Sequence, residues 1–95
     1  MPRAYSLIVE EERLKEVGRI SHFYPKISVA VVDLVAPLSI GDRILIRGAT
    51  THLEQVAESM QIQHEDIERA EAGQSIGLKV KERVRENDYV YKITE

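Results

Sequence analysis

The sequence predicts an all-β fold, a small closed antiparallel barrel of six to seven strands. From Val17 onward, short apolar runs rich in β-branched residues are separated by turn residues at the spacing of about 8–12 residues that barrels and sandwiches show. In the segment Arg43 to Arg47, the two-residue period of a strand points Ile44 and Ile46 one way and both arginines the other. Before Val17, Glu10 to Glu16 is rich in helix formers. We therefore predict a leader, helical or frayed, over residues 1–16 and a single domain over residues 17–95.

The first two predicted strands meet at a proline turn. The strand Val17 to Tyr24 stops at Pro25, because proline lacks a donor for the ladder and presets a turn. The strand Ile27 to Leu34 follows directly, with apolar residues on both of its faces. We expect it to be the most buried strand.

The middle of the chain contains one clear strand and one irregular one. Pro37 to Asp42 is a predicted turn, and Ile44 and Ile46 of the next strand point opposite to its two arginines. His52 to Gln63 has β-forming residues but imperfect alternation, which indicates a bulge or a strong twist. Glu65 to Ala72 is a predicted turn or loop that ends at Gly73.

The last part of the chain predicts two strands. Apolar residues at positions 76, 78, 80 and 84 share one parity, and the basic residues Lys79, Lys81, Arg83 and Arg85 share the other. A turn at Asn87-Asp88 then leads into a final strand, Tyr89 to Ile93. The four cations are therefore expected to lie on one strand face.

Composition limits the class of protein. A chain of 95 residues holds one core, and without cysteine it has neither disulfides nor thiolate metal sites. Its charge is mildly acidic, with 13 Lys and Arg against 16 Asp and Glu, so a uniformly basic surface is excluded. No run of about 20 apolar residues and no apolar leader is present. We predict a cytoplasmic protein with no membrane association.

The residues that carry most enzyme chemistry are absent from their usual patterns. His22, His52 and His64 are too widely spaced to present two imidazoles from one helix or strand to a metal ion. Ser75 lies in a Gly-x-Ser-x-Gly segment, residues 73–77, but a predicted strand follows it where a nucleophile elbow has a helix, and no phosphate-binding Gly-rich loop is present. The carboxylates between Glu54 and Glu71 are most simply a solvated face. We predict no catalytic residue, no metal and no cofactor.

Three motifs resemble one family when they are taken in order. They are Leu38 to Gly48, then Thr50-Thr51 followed by Val56 to Met60, then Ala72 to Gly77 with the sequence Ala-Gly-Gln-Ser-Ile-Gly. This order is similar to the second, β-barrel domain of translational GTPases such as elongation factor Tu, the reductase/isomerase/elongation factor common domain. The resemblance implies the barrel fold over nearly the whole chain. The same barrel occurs at the C-terminus of collagenase-like peptidases and in RNA-processing proteins, so the fold leaves the role open.

The positions that hold the aminoacyl end of transfer RNA in that family are altered. The resemblance places this pocket at Ser59, Gln61, Ile62 and Ser75. Ser59 stands where the family has an acidic residue, Ile62 where it has a basic one, and Ser75 where it has an asparagine. Sixteen residues precede Val17 in this sequence, and from that length we expect no GTPase domain before the barrel. We therefore expect neither GTPase activity nor binding of an aminoacyl end.

Two hypotheses of function follow, both for a non-catalytic binding module. In the first, the predicted cationic face is joined by Lys26, Arg43 and Arg47 into a stripe that binds phosphates of structured RNA or of the ribosome. In the second, the cations protect a sheet edge from pairing. The chain is then a protein-interaction or accessory barrel beside a separate enzyme, such as a collagenase-like peptidase.

Overall fold

The computed structural model describes residues 13–94, and it is all-β as predicted, with strands and turns but no helix in that range. Its strands are β1 (Leu14–Tyr24), β2 (Val29–Leu34), β3 (Leu38–Ser39), β4 (Arg43–Arg47), β5 (His52–Val56), β6 (Met60–Ile62), β7 (Glu65–Ile67), β8 (Arg69–Ala70), β9 (Ser75–Lys79) and β10 (Tyr89–Ile93).

Eight of these strands form one antiparallel sheet, in the order β5-β4-β10-β1-β2-β9-β6-β7. Strands β3 and β8 form a separate two-stranded sheet. Within the described part of the chain, β5 and β7 are the two edges of the large sheet and are not paired with each other. The prediction of a closed barrel is therefore wrong, because the ladder does not return to its first strand.

A buried side chain links one edge of the sheet to the end of β9. Gln55 of β5 is only 7% exposed, and its Nε2 donates to the carbonyl oxygen of Lys79 at 2.9 Å. Its Oε1 accepts from the backbone N–H of Lys81 at 2.8 Å. The sheet thus curls until β5 and the end of β9 meet, but one glutamine makes the contact that a strand ladder would make in a closed barrel.

The core lies inside this curled sheet and is apolar. Burial of one large aliphatic side chain contributes about 1.5–3 kcal/mol. The largest side chains with almost no exposure are Ile20, Leu38, Ile44, Ile46, Met60, Ile76, Leu78, Val17, Val32, Val80, Val84 and Val90. The predicted alternation of β4 is confirmed, because Ile44 and Ile46 are fully buried, Arg43 is exposed and Arg47 is half-buried. Strand β2 is buried on one face only, because its other face carries half-buried Val29 and Val31 and exposed Asp33.

Two predicted strand boundaries differ from those of the structure. Strand β1 begins at Leu14, within the predicted leader, because Leu14 to Glu16 pair with β10. Residues 14–16 are therefore strand rather than helix, and the rest of the predicted leader, residues 1–12, lies outside the described residues.

Instead of one strand with a bulge, His52 to Gln63 contains β5 and β6. The break follows from Ala57, whose N–H donates to the Asp42 carbonyl and whose carbonyl accepts from Gly41, both at 2.8 Å.

The predicted loop at 65–72 contains two short strands. Strand β7 pairs with β6, and β8 pairs with β3 across Leu38 and Ala70. The turn between β6 and β7 holds Gln63 and His64 at positive φ, as a two-residue hairpin requires.

The predicted strand through Arg85 ends earlier. Strand β9 stops at Lys79, and residues 80–88 form a loop, called here the 80–88 loop. Its two partners give the physical reason, because β2 and β6 pair with β9 only as far as Val29↔Lys79 and Met60↔Leu78. Beyond that level the residues that follow Lys79 have no strand to pair with.

Candidate binding pocket and aromatic face

The 80–88 loop runs along the β1–β2 hairpin and is tied to it at both ends. At the hairpin tip, the Val80 N–H donates to the Ser28 carbonyl at 2.9 Å. At the other end, the Asn87 N–H donates to the Ile20 carbonyl, and the Ile20 N–H donates to the Asp88 carbonyl, both at 2.8 Å. Ile20 follows Arg19, the last residue of β1 that pairs with β10, so these bonds continue that ladder into the loop.

The end of the loop is fixed by a buried carboxylate. Asp88 is 4% exposed, and its Oδ2 accepts from the Arg85 N–H at 2.8 Å. Its Oδ1 lies against Gly48, where an added Cβ would be 1.9 Å from that oxygen. Asn87 sits at a φ of 75°, a conformation that asparagine adopts more easily than most residues. The turn after β4 and the end of the loop are therefore packed as one unit.

A pocket of about 340 Å³ opens between the hairpin and the loop. Its lining residues are Phe23, Pro25, Arg83, Val84, Arg85 and Glu86. Val84 is 1% exposed, and Phe23 packs partly buried against the core, so both are held by the fold. The pocket thus combines an apolar floor with a charged rim, an arrangement typical of ligand sites.

The charges on the rim are partly engaged. The Nε of Arg85 donates to Thr50 Oγ1 at 2.8 Å, which fixes the guanidinium. Glu86 Oε2 lies 3.4 Å from Nδ1 of His22, and the His22 ring meets the Tyr24 ring edge-on at 4.3 Å between centroids. Arg83 is exposed and has no ion pair or hydrogen bond within residues 13–94. The rim therefore offers one unpaired guanidinium and one that is positioned by Thr50.

A second surface lies on the outer face of β1, β4 and β10. We call it the Tyr–Arg face, and its residues are Arg19, Arg47, Tyr89 and Tyr91. The Arg19 guanidinium lies 5.1 Å from the centroid of the Tyr89 ring, and that of Arg47 lies 5.1 Å from the Tyr91 ring. The two rings are 6.3 Å apart. Register explains the cluster, because Tyr89 is paired with Arg19 on one side and with Arg47 on the other.

The predicted cationic residues do not form one strand face. Lys79, Lys81, Arg83 and Arg85 are all exposed as expected, but only Lys79 lies on a strand. Lys79 Nζ donates to the Ile27 carbonyl at 2.9 Å, at the hairpin turn that also contains Lys26.

The other two predicted cations lie elsewhere in the sheet. Arg43 forms an ion pair with Glu54, and Arg47 stacks on Tyr91. Together with Lys26 in the hairpin turn, Lys79 on β9 and the three cations of the 80–88 loop, they are spread over two strands, a turn and a loop. The seven predicted cations therefore do not form a single strand face.

The four positions of the family pocket are engaged within the fold. Ser59 is exposed, and its carbonyl accepts from the Lys79 N–H at 3.1 Å. Gln61 Nε2 donates to Asp66 Oδ1 at 2.9 Å, and Ile62 is half-buried against the core. Ser75 Oγ donates to Asp33 Oδ1 of β2 at 2.6 Å. These polar groups thus bond neighbouring strands.

Sequence reasoning missed part of the pocket. Pro25 and Glu86 were not candidates, because the pocket depends on which turn of the chain faces the hairpin. The turn predicted at Asn87-Asp88 was the one available signal, since it marks where the loop must return to the sheet.

The chain is similar in sequence to a protease and to a collagenase. No family model matches the chain. It is 49% identical over 81 residues to an uncharacterised protease of Methanocaldococcus jannaschii, a match that covers 84% of this chain and 20% of the protease. It is 35% identical over 78 residues to a collagenase of Porphyromonas gingivalis, over 80% of this chain and 22% of the collagenase. The chain spans about a fifth of the length of these relatives.

Solved structures show the same fold. The C-terminal domain of a Geobacillus thermoleovorans protein assigned to the U32 peptidases matches with a TM-score of 0.77 and 20% identity, over 82% of this chain and 91% of that one. GDP-bound aIF5B from Aeropyrum pernix matches with a TM-score of 0.60 and 16% identity, over 94% of this chain and 17% of that one. The resemblance to GTPase factors is therefore one of fold.

These comparisons correct the first hypothesis of function. The sequence relatives are a protease and a collagenase. The interpretation as a translation-factor-like, RNA-binding and ribosome-associated protein is wrong on this evidence. The alternative, an accessory domain beside a peptidase, is the better supported one.

Between residues 13 and 94, no helix is long and apolar enough to cross a membrane. In the same range, no group of three or more His, Asp or Glu side chains is arranged to hold a metal ion.

Proposed function

We propose that this chain is a non-catalytic accessory β-domain that acts beside the catalytic part of a peptidase. The observation that carries the proposal is the 49% identity to a segment that makes up 20% of a protease. A segment of that size, with the fold of a peptidase C-terminal domain, is suited to contact a larger catalytic region or its substrate.

The Tyr–Arg face is the surface best suited to a protein contact. Tyrosine and arginine are enriched at the centres of protein interfaces, where they supply large contact areas and hydrogen bonds. Tyr89 is 37% exposed, so its ring is available while Arg19 and Tyr91 hold it in place. An interface built on this face depends on rings as well as on charges, and salt should therefore weaken it little.

Capture of the tagged protein from its own cells tests the proposal. The extract is treated with nuclease and washed at about 0.5 M sodium chloride, which screens exposed charge pairs over distances beyond a few ångströms. We expect a peptidase catalytic region to be retained and identified by mass spectrometry. Recovery that is lost with nuclease, or a retained set without a peptidase, would contradict the accessory role.

A matched pair of variants locates the contact. Tyr89→Ala removes the exposed ring of the Tyr–Arg face, and Tyr24→Ala removes a ring that is 48% exposed at the hairpin end. We expect the first to weaken retention of the peptidase by about tenfold, as loss of an interface anchor does, and the second to leave it unchanged. The reverse result would move the contact to the hairpin end.

A further inference from the structure

We propose that the pocket between the β1–β2 hairpin and the 80–88 loop binds the C-terminal carboxylate of a peptide whose last side chain is apolar. The pocket itself carries this inference. Only the peptide nature of the ligand rests on the proposed function, because hydrolysis of a peptide bond leaves one fragment with a new carboxylate.

The apolar part of the ligand is matched by the floor of the pocket. Val84 is buried, Phe23 is half-buried, and Pro25 has a ring with a fixed backbone angle, so contact with them costs little side-chain entropy. The volume of about 340 Å³ lies at the small end of ligand sites, which span about 300–1,000 Å³. It suits one or two residues rather than a long segment.

The carboxylate is matched by the two arginines of the rim. A guanidinium presents two parallel N–H donors to the two oxygens of a carboxylate, and this geometry makes such pairs strong. Arg83 has no partner within the described chain, and Arg85 uses Nε on Thr50, so its terminal nitrogens have no acceptor there. Both side chains can therefore donate to a ligand without breaking an existing bond.

The remaining charge limits the kind of anion. Glu86 lies on the same rim, so the lining carries two positive charges and one negative charge. The net positive charge of one is balanced by a single carboxylate, whereas a dianion such as phosphate leaves one negative charge uncompensated on the rim. A bare inorganic anion would also leave the apolar floor in water. The lining thus favours an anion attached to an apolar group.

The test is a titration of the ¹⁵N-labelled chain followed by NMR, with four probes. They are acetyl-Gly-Gly-Leu with a free carboxylate, the same peptide as its C-terminal amide, acetyl-Gly-Gly-Gly with a free carboxylate, and inorganic phosphate. We expect the first to shift the amide signals of Phe23, Tyr24, Val84 and Arg85 at the lowest concentration. The other three should bind at least about fivefold more weakly, because each lacks the carboxylate or the apolar group.

Matched variants identify the groups that bind. Arg83→Gln should weaken binding of the free-carboxylate leucine peptide by about five- to tenfold, the size of a charge-assisted contact at an exposed site. Lys81→Gln is the control, because Lys81 is an equally exposed cation of the same loop that does not line the pocket, and it should change affinity less than about twofold. Glu86→Gln should strengthen binding by about two- to fivefold, since it removes the opposing charge.

Several results would overturn the inference. They are equal affinity for the acid and the amide, equal losses from Arg83→Gln and Lys81→Gln, or shifts confined to another surface. No peptidase enters this experiment, so its failure is distinct from failure of the capture experiment. Binding without capture would retain the pocket and remove the accessory role, and capture without binding would do the opposite.

Discussion

The Tyr–Arg face and the rim of the pocket both carry arginine, yet they use it differently. On the Tyr–Arg face, Arg19 and Arg47 lie over the rings of Tyr89 and Tyr91. On the rim, Arg83 has no partner among residues 13–94. The difference follows from backbone pairing, since the face lies on a continuous ladder that sets a tyrosine beside each arginine, whereas residues 81–86 of the loop are not part of a ladder. The ladder thus commits both of its arginines to the fold, and the loop leaves Arg83 for a ligand.

The two regions meet at Gly48 and Asp88, and the largest expected effect comes from a change there. In Gly48→Ala, the new Cβ would lie 1.9 Å from Asp88 Oδ1, so the buried carboxylate must move and lose its bond from the Arg85 N–H. We expect a loss of about 2–3 kcal/mol in the free energy of unfolding, measured by urea denaturation.

Gly77→Ala is the graded control for that change. Its added Cβ would meet Val29 Cγ1 at 3.3 Å, and a side-chain methyl can give way. We expect it to cost less than about 1 kcal/mol. Equal losses from the two variants would mean that the Gly48–Asp88 contact does not join the regions.

The next largest effect should appear near the pocket and leave the Tyr–Arg face unchanged. Gln55→Leu removes the side chain that bonds Lys79 and Lys81, leaving two backbone groups without their partner. A loss of about 1–3 kcal/mol is expected, together with faster hydrogen exchange of the Lys81 amide. Amides of the Tyr–Arg face should keep their protection, because β1, β4 and β10 do not depend on Gln55.

Gln61→Leu serves as the matched control for that variant. Gln61 is exposed, and its amide bonds only the Asp66 carboxylate. Its replacement should stay within about 0.5 kcal/mol. If Gln61→Leu cost as much as Gln55→Leu, the linking role of Gln55 would not hold.

The sequence predicts the parts of the fold that depend on a local pattern of residues. It does not predict the parts that depend on contacts between distant segments. Arg43–Arg47 and Tyr89–Ile93 were predicted with the bounds that the structure shows, because short β-forming runs bounded by turn residues are a local pattern and each strand has partners on both sides. The 80–88 loop was predicted as a strand for the same local reason, since Val80 and Val84 are buried between exposed cations. Strand β9 ends where its partners β2 and β6 begin, at Val29 and Met60. The linear pattern of residues does not contain that information.

The same limit applies to the candidate pocket. Arg83 and Arg85 were predicted as exposed binding residues, and they line the pocket. Their apolar partners Phe23 and Pro25 are about sixty residues earlier in the chain, and only the backbone bonds at Ile20 and Ser28 bring the two segments together. Similarly, closure of the sheet was predicted from a family resemblance. In the structure one side chain, that of Gln55, links β5 to the end of β9 instead of a strand ladder.

The smallest expected effect tests directly the comparison between the Tyr–Arg face and the rim of the pocket. Arg19→Ala removes a guanidinium that lies 5.1 Å from the Tyr89 ring, and such a contact at a partly exposed site contributes about 0.5–1 kcal/mol. Arg83→Ala removes a side chain without a partner in the described chain, so its free energy of unfolding should change by less than about 0.5 kcal/mol. Paired urea denaturation curves measure both. A cost for Arg83 equal to that for Arg19 would show that the rim arginine is also committed to the fold, and the distinction between ladder and loop would then fail.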